Sequence, residues 1–89
     1  MTKILTNDEI NQFKKDGAVF LKGKFDISWI KKLQIGIEKD IKNPSPRFKS
    51  HTIKKDIPAY LEDYWTWHLV PEFRDFVFNS PYAKIASEL

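Results

Sequence analysis

This 89-residue chain has two histidines, His51 and His68, and they are its first candidates for metal ligands. A mononuclear iron site of the two-histidine, one-carboxylate kind needs a His-x-Asp or His-x-Glu pair and a distant second histidine. Two residues beyond His51 stands Ile53, and two beyond His68 stands Val70. Neither histidine therefore begins the required pair, and no metal-binding residue is predicted.

Covalent and phosphate chemistry are not indicated either. The sequence has no cysteine and no Gly-x-Ser-x-Gly elbow, and its three glycines are too scattered to form a phosphate loop. Glu62 and Asp63 are adjacent, and adjacent side chains do not face each other in a helix or a strand. Arg74 is expected to pair with a neighbouring carboxylate rather than to bind an anion. No catalytic or cofactor-binding residue is predicted.

The segment "DYWTWH" (residues 63–68) is the part whose composition most suggests function. Aromatic side chains with a polar group line pockets and interfaces, and they also build protein cores. The scarcity of aliphatic residues nearby favours a core face that covers another layer. If any residue of this chain contacts a substrate, we expect Trp65 and Trp67, at the rim of its pocket.

Length and charge restrict the class of protein. A chain of this length forms at most one domain and buries about 60–65% of its unfolded surface. Residues 1–59 carry 13 Lys and Arg against 7 Asp and Glu, and residues 60–89 carry 2 against 5. The lysine pairs are typical of a solvated surface, so nucleic-acid binding is not expected. The charged N-terminus, the lack of a long apolar run and the absence of cysteine predict a cytoplasmic protein without membrane contact.

Two helices are predicted in the first half. The Thr6-x-x-Glu9 capping box and Gly17 bound a helix over about residues 7–16. A second helix, over about residues 27–42, ends before Pro44. Its apolar residues recur every three or four positions, so we expect a buried stripe of Ile30, Leu33, Ile37 and Ile41.

Between these helices, "AVFLKG" predicts a strand over about residues 18–22, buried on both faces. A strand needs a partner for its backbone groups, and the other candidate, "RFKSHTIKK", alternates only weakly. A long loop follows, over about residues 43–59. Prolines at 71 and 81 then predict helices over about residues 71–78 and 81–89.

The order of these signals resembles a known family. The stretch "LTNDEINQFKKDGAVFLKGKFDISWIKKLQIGIEKDIKNPSP" is similar to the N-terminal region of the phytanoyl-CoA dioxygenase family, and "VPEFRDFVFNSPYAKIASEL" resembles the segment that leads into that family's catalytic core. The residues that match the first pattern are Thr6, Phe13, Asp16, Gly17, Val19, Leu21, Gly23 and Phe25.

The resemblance implies an oxygenase that depends on Fe(II) and 2-oxoglutarate and hydroxylates a small organic substrate. It implies an α+β fold, in which N-terminal helices and one buried strand flank a double-stranded β-helix. The family's His-x-Asp and distal His ligands, and the basic residue that holds 2-oxoglutarate, belong to that core and have no counterpart here. Residues 1–89 are thus expected to be the N-terminal portion of one dioxygenase domain, inactive alone, with the missing C-terminal core as partner.

The last helix is consistent with this expectation. No capping residue closes it, and Ile85 and Leu89 lie on one face, which we expect to pack on a sheet of the missing core. The alternative hypothesis, from a different class, is a small α-rich interaction module that pairs with another protein chain.

Overall fold

The computed structural model describes residues 3–51 and 60–89, which contain four helices and a two-stranded sheet. The helices are α1 (Asn7–Asp16), α2 (Ile27–Lys42), α3 (Pro71–Asn79) and α4 (Tyr82–Glu88). The strands are β1 (Lys49–Ser50) and β2 (Leu61–Glu62), which pair antiparallel.

The bounds of α1 agree with the prediction because its end signals are local. The Thr6 hydroxyl accepts the Glu9 N–H at 3.1 Å, and the Glu9 carboxylate accepts the Thr6 N–H at 2.8 Å. Gly17 ends the helix with φ of 73° and donates its N–H to the Phe13 carbonyl. Both partners of each bond lie within one turn, so no tertiary contact is needed to fix these ends.

The strand predicted over residues 18–22 is wrong. Residues 18–21 belong to no strand or helix, and Phe20 is 84% exposed. They form an irregular connection between α1 and a turn at Gly23, since no strand of the described residues pairs with them. Pairing occurs instead at β1, inside the predicted loop, of which residues 52–59 lie outside the described part of the chain.

The main tertiary contact is between α2 and α3, and it is centred on Gly36. Gly36 is the buried residue of α2, and the ring of Phe73 lies directly against it. Ion pairs flank the contact: Lys32 binds Asp75, and Lys39 binds Glu72. The side of α2 that contacts α3 thus lies at Gly36, beside the apolar stripe. The prediction that the isoleucines of the stripe are buried is wrong. The exposed fractions of Ile30, Ile37 and Ile41 are 42%, 51% and 50%.

Phe76 organises the aromatic core beneath this contact. Its ring stacks on Phe25 at a centroid distance of 5.5 Å and meets Trp29 of α2 edge-on at 6.1 Å. Tyr82 of α4 lies 5.6 Å away. Because the aromatic rings supply large buried areas, this one side chain ties α2, α3 and α4 together.

The two ends of the described chain meet at Glu88. Its carboxylate accepts the backbone N–H groups of Ile4 and Leu5 at 2.8 to 3.0 Å. Leu5 and Ile85 are both buried, at 4% and 6% exposure. The expectation that Ile85 faces a sheet outside this chain is therefore wrong, since this chain itself covers Ile85.

The described chain buries few of its hydrophobic side chains. The radius of gyration is 16.2 Å, against about 12 Å for a compact domain of this length. Within the described residues, the hydrophobic side chains classed as buried are Leu5, Val70 and Ile85, and none is fully buried. The same residues include no helix with the length and apolarity to cross a bilayer. Much of the apolar surface of the molecule is left uncovered.

Candidate functional site

Two segments, residues 43–51 and 60–70, lie side by side and form the best-defined polar constellation. Strands β1 and β2 join them, with Lys49 opposite Glu62 and Ser50 opposite Leu61. The pairing continues one residue further, where His51 donates its N–H to the Tyr60 carbonyl at 2.7 Å. The register of this short sheet sets which residues of the two segments meet.

Ser45 and Asp63 form the second connection between these segments. The backbone N–H of Ser45 donates to one carboxylate oxygen of Asp63 at 3.0 Å, and the Ser45 hydroxyl donates to the other. Ser45 is 6% exposed and its hydroxyl also accepts the N–H of Arg47 at 3.1 Å. Asp63 accepts the N–H of Tyr64 at 2.9 Å. The backbone just before Arg47 and the backbone just before Trp65 are therefore held by the same pair.

Arg47 reaches across from the first segment to the second. Its Nε donates to the Tyr64 carbonyl at 3.0 Å and its Nη2 to the Trp65 carbonyl at 3.3 Å. The guanidinium carbon lies 5.8 Å from the Tyr64 ring centroid and 5.7 Å from that of Trp65, which is within the range of cation–π attraction. Among residues 3–51 and 60–89, Arg47 forms no ion pair.

These contacts shape an open cavity of about 380 Å³, lined by Arg47, Trp65, Trp67 and His68, which we name the Arg47 cleft. The His68 ring meets Trp65 and Trp67 edge-on, at centroid distances of 6.4 and 5.7 Å. Trp65 is 70% exposed. The structure thus brings the two sequence-predicted rim residues to one cavity; their contact with a substrate stays a prediction.

Trp65 has an unusual backbone. Its φ of 60° makes it the one non-glycine residue with positive φ in the described chain. A bulky side chain in this region costs about 1–2 kcal/mol, so surrounding contacts must hold it there. Here the Arg47 bonds to the carbonyls of Tyr64 and Trp65 are such contacts.

Sequence reasoning missed the pairing of Asp40 with Asp63. Burial raises the pKa of Asp40 to about 6, and a hydrogen bond and charge from Asp63 add to this. Burial alone would also raise the pKa of Asp63, but its hydrogen bonds, from Ser45 first, bring that pKa down to about 2. The pair therefore holds one proton across mildly acidic pH. No local pattern indicates it, because Asp40 lies on α2 and Asp63 follows β2.

The donor set of the described residues does not fit the iron site that the resemblance implies. His51 lies 3.3 Å from the Glu62 carboxylate and against Tyr60, whereas His68 lies between two tryptophan rings. No three His, Cys, Asp or Glu side chains in residues 3–51 and 60–89 are grouped to hold a metal. We therefore assign no step of iron chemistry to these residues.

Arg74 differs from its expected role. Its guanidinium carbon lies 5.0 Å from the Phe78 centroid and 5.6 Å from the Trp67 centroid. In the described chain it forms no salt bridge, and the neighbouring Asp75 pairs with Lys32 instead. Stacking on two rings replaces the predicted ion pair because the short helix turns Arg74 toward Trp67.

Searches of protein-family models, curated proteins and solved structures find no match to this chain. No family is therefore assigned to it, and the similarity to the dioxygenases remains a hypothesis.

Proposed function

We propose that this chain is the N-terminal flanking part of an Fe(II)- and 2-oxoglutarate-dependent dioxygenase and that it functions packed against a double-stranded β-helix core. The observation that carries the proposal is the uncovered apolar surface. Large exposed hydrophobic side chains occur on the α1–α2 connection, along α2 and on α3; they include Phe20, Ile27, Ile35, Ile37, Ile41 and Phe78. Apolar surface of this extent is typical of a face that another protein body covers.

The resemblance to the dioxygenase family supports a double-stranded β-helix core as that body. The capped helix α1, the Asp16-Gly17 end and the longer helix α2 occur in the order of the family's N-terminal region. The iron ligands and the 2-oxoglutarate site then belong to the core, which supplies the oxidation chemistry. The residues described here contribute covering surface, and Trp65 and Trp67 lie at the rim of the substrate pocket.

The first test is to read the coding sequence beyond the codon of Leu89. We expect an in-frame continuation that encodes His-x-Asp or His-x-Glu and a later histidine, and whose product consumes 2-oxoglutarate only with Fe(II). A stop codon directly after Leu89 would contradict the proposal. It would leave the alternative, an interaction module that pairs with a separate chain.

The second test introduces single thiols and locates their modification by peptide mapping, because residues 1–89 contain no cysteine of their own. Phe20→Cys and Ile37→Cys place thiols at exposed apolar sites, and Lys31→Cys is the matched control at an exposed polar site of α2. We expect the first two to react with a maleimide about tenfold more slowly in the longer product than in the 89-residue chain. The control should react equally in both. Equal rates at all three positions would refute the covering role.

The rim assignment has its own test in the longer product. Trp65→Ala or Trp67→Ala should raise the KM for the organic substrate and leave uncoupled 2-oxoglutarate turnover intact, because binding rather than iron chemistry is changed. Unchanged kinetics with both variants would remove these residues from the substrate pocket.

A further inference from the structure

We propose that the Arg47 cleft binds a small planar organic anion, of the aromatic carboxylate class. The inference requires only Arg47, Trp65, Trp67 and His68 and no iron or 2-oxoglutarate, so it does not depend on the proposed function. If both hold, such an anion is the substrate class whose aromatic part the cleft receives.

The positive charge of the cleft is held in place, and no carboxylate of residues 3–51 and 60–89 pairs with it. Arg47 uses Nε and one Nη2 hydrogen for the carbonyls of Tyr64 and Trp65. A guanidinium has five N–H donors, so its bonds within the described residues leave three for a ligand. In the part of the chain that the structure describes, no carboxylate pairs with Arg47. A carboxylate can accept two parallel bonds from such a group, which favours an anion of this geometry.

The walls of the cleft favour a flat apolar body. Trp65, Trp67 and His68 surround the cavity, with the imidazole edge-on to both indoles. Aromatic faces bind planar rings by stacking, and each indole N–H is a donor on a ring that has no acceptor atom. A volume of about 380 Å³ accommodates a two-ring aromatic acid. A cation would meet Arg47 without a carboxylate among the lining residues, so the cleft disfavours cations.

The strain at Trp65 supports a binding role. A positive φ at a bulky residue is unfavourable, and residues held in this way concentrate at ligand sites. The contacts that hold it are made by Arg47, which also lines the cavity. The same interactions therefore order the indole and position the guanidinium before a ligand arrives, which lowers the entropic cost of binding.

The experiment is an NMR titration of the 89-residue chain with naphthalene-2-carboxylate. The chain has three tryptophans, so its indole N–H region holds three assignable signals. We expect the signals of Trp65 and Trp67 to shift saturably, and that of Trp29, which packs on Phe76, to stay in place. The neutral isostere 2-naphthamide should bind roughly tenfold more weakly, because it removes the charge-assisted bonds.

Variants then separate the two arginines. Arg47→Met should weaken carboxylate binding roughly tenfold and abolish the preference over the amide. Arg74→Met is the matched control: it removes a cation that stacks on Trp67 and Phe78 but does not line the cleft, and it should leave the dissociation constant within about twofold.

Two results on the unmodified chain would overturn the proposal, whatever the variants do. One is the lack of a saturable shift of Trp65 and Trp67 up to about 10 mM ligand. The other is equal affinity for the carboxylate and the amide, which would leave hydrophobic stacking as the sole attraction. Because neither measurement uses iron, its failure is distinguishable from failure of the dioxygenase proposal.

Discussion

Gly36 lies where α2 meets α3. Replacing a helical glycine by alanine usually stabilises a protein, but at Gly36 we expect the change to destabilise it. A Cβ atom at this position would lie 2.6 Å from Cε1 and 2.9 Å from Cδ1 of Phe73, and 3.2 Å from Cβ of Glu72. Carbon atoms attract best at about 3.5–4.0 Å, so the added methyl group overlaps the ring. Either the ring rotates or the two helices separate.

The net effect is a difference between two opposing free energies. Alanine is better than glycine in a helix interior by about 1 kcal/mol. Overpacking a well-filled contact costs about 1–3 kcal/mol. Gly36→Ala should therefore lower the free energy of local opening of α2 and α3 by up to about 2 kcal/mol. The matched control is Gln34, an exposed residue of the same helix. There the alanine variant should be more stable than the glycine variant by about 1 kcal/mol.

Amide hydrogen exchange of α3 residues is the suitable assay, because it measures local opening without requiring that the chain unfold in one step. Gly36→Ala should speed exchange in α3. In a Phe73→Leu background, which removes the ring edge, most of that penalty should vanish, giving a coupling of about 1–2 kcal/mol. Slower exchange in Gly36→Ala, or a penalty that persists without the ring, would show that the close approach at Gly36 does not exist.

Three further perturbations test the remaining contacts. Asp63→Asn should lower the pKa of Asp40 from about 6 but leave it above 3.8, since burial, the larger cause, remains; an unchanged carboxyl ¹³C titration would disprove the pairing. In the wild type, the stabilisation from protonated Asp40 is complete below about pH 4 and is lost as the pH rises through 6, because the folded-state pKa is the higher one. Glu88→Gln should speed amide exchange roughly tenfold at Ile4 and Leu5, whose N–H groups donate to the Glu88 carboxylate. Equal exchange rates in the variant and the wild type would refute these hydrogen bonds. Because those N–H bonds, from Ile4 first, lower the pKa of Glu88 from 4.5, wild-type protection should be present above pH 4.5 and be lost as the pH falls through the lowered pKa. Thr6→Ala should destabilise α1 by about 1 kcal/mol in the same exchange measurement, whereas unaltered protection of α1 would contradict its cap.

The parts of the fold that were predictable are those fixed by neighbours in sequence. The capping box and Gly17 specify α1 within one turn at each end. Pro71 begins α3 as expected, since its fixed φ suits the first helical position. Pro81 lies one position before α4 rather than inside it, and the Ser80 hydroxyl accepts the Tyr82 N–H, which shifts that helix by one residue.

The failures have a common physical cause, which is that pairing depends on distant partners. The apolar run over residues 18–22 has strand composition, but no strand of the described residues pairs with it. Periodicity alone predicts a buried apolar stripe on α2, whereas the close contact with α3 lies at the small Gly36. The tryptophans of the Arg47 cleft were identifiable by composition. Arg47 was not, because its reach to the Tyr64 and Trp65 carbonyls depends on the β1–β2 register.

The positive φ of Trp65 has a consequence for how this sequence can change under selection. Glycine at this position would relieve about 1 kcal/mol of backbone cost and at the same time delete the indole wall of the cleft. Selection for thermal stability therefore favours a different residue at position 65 from selection for ligand binding. A library selected only for thermal resistance should accumulate glycine or asparagine at position 65. A library selected for retention of the aromatic acid should keep tryptophan and acquire its stabilising changes elsewhere.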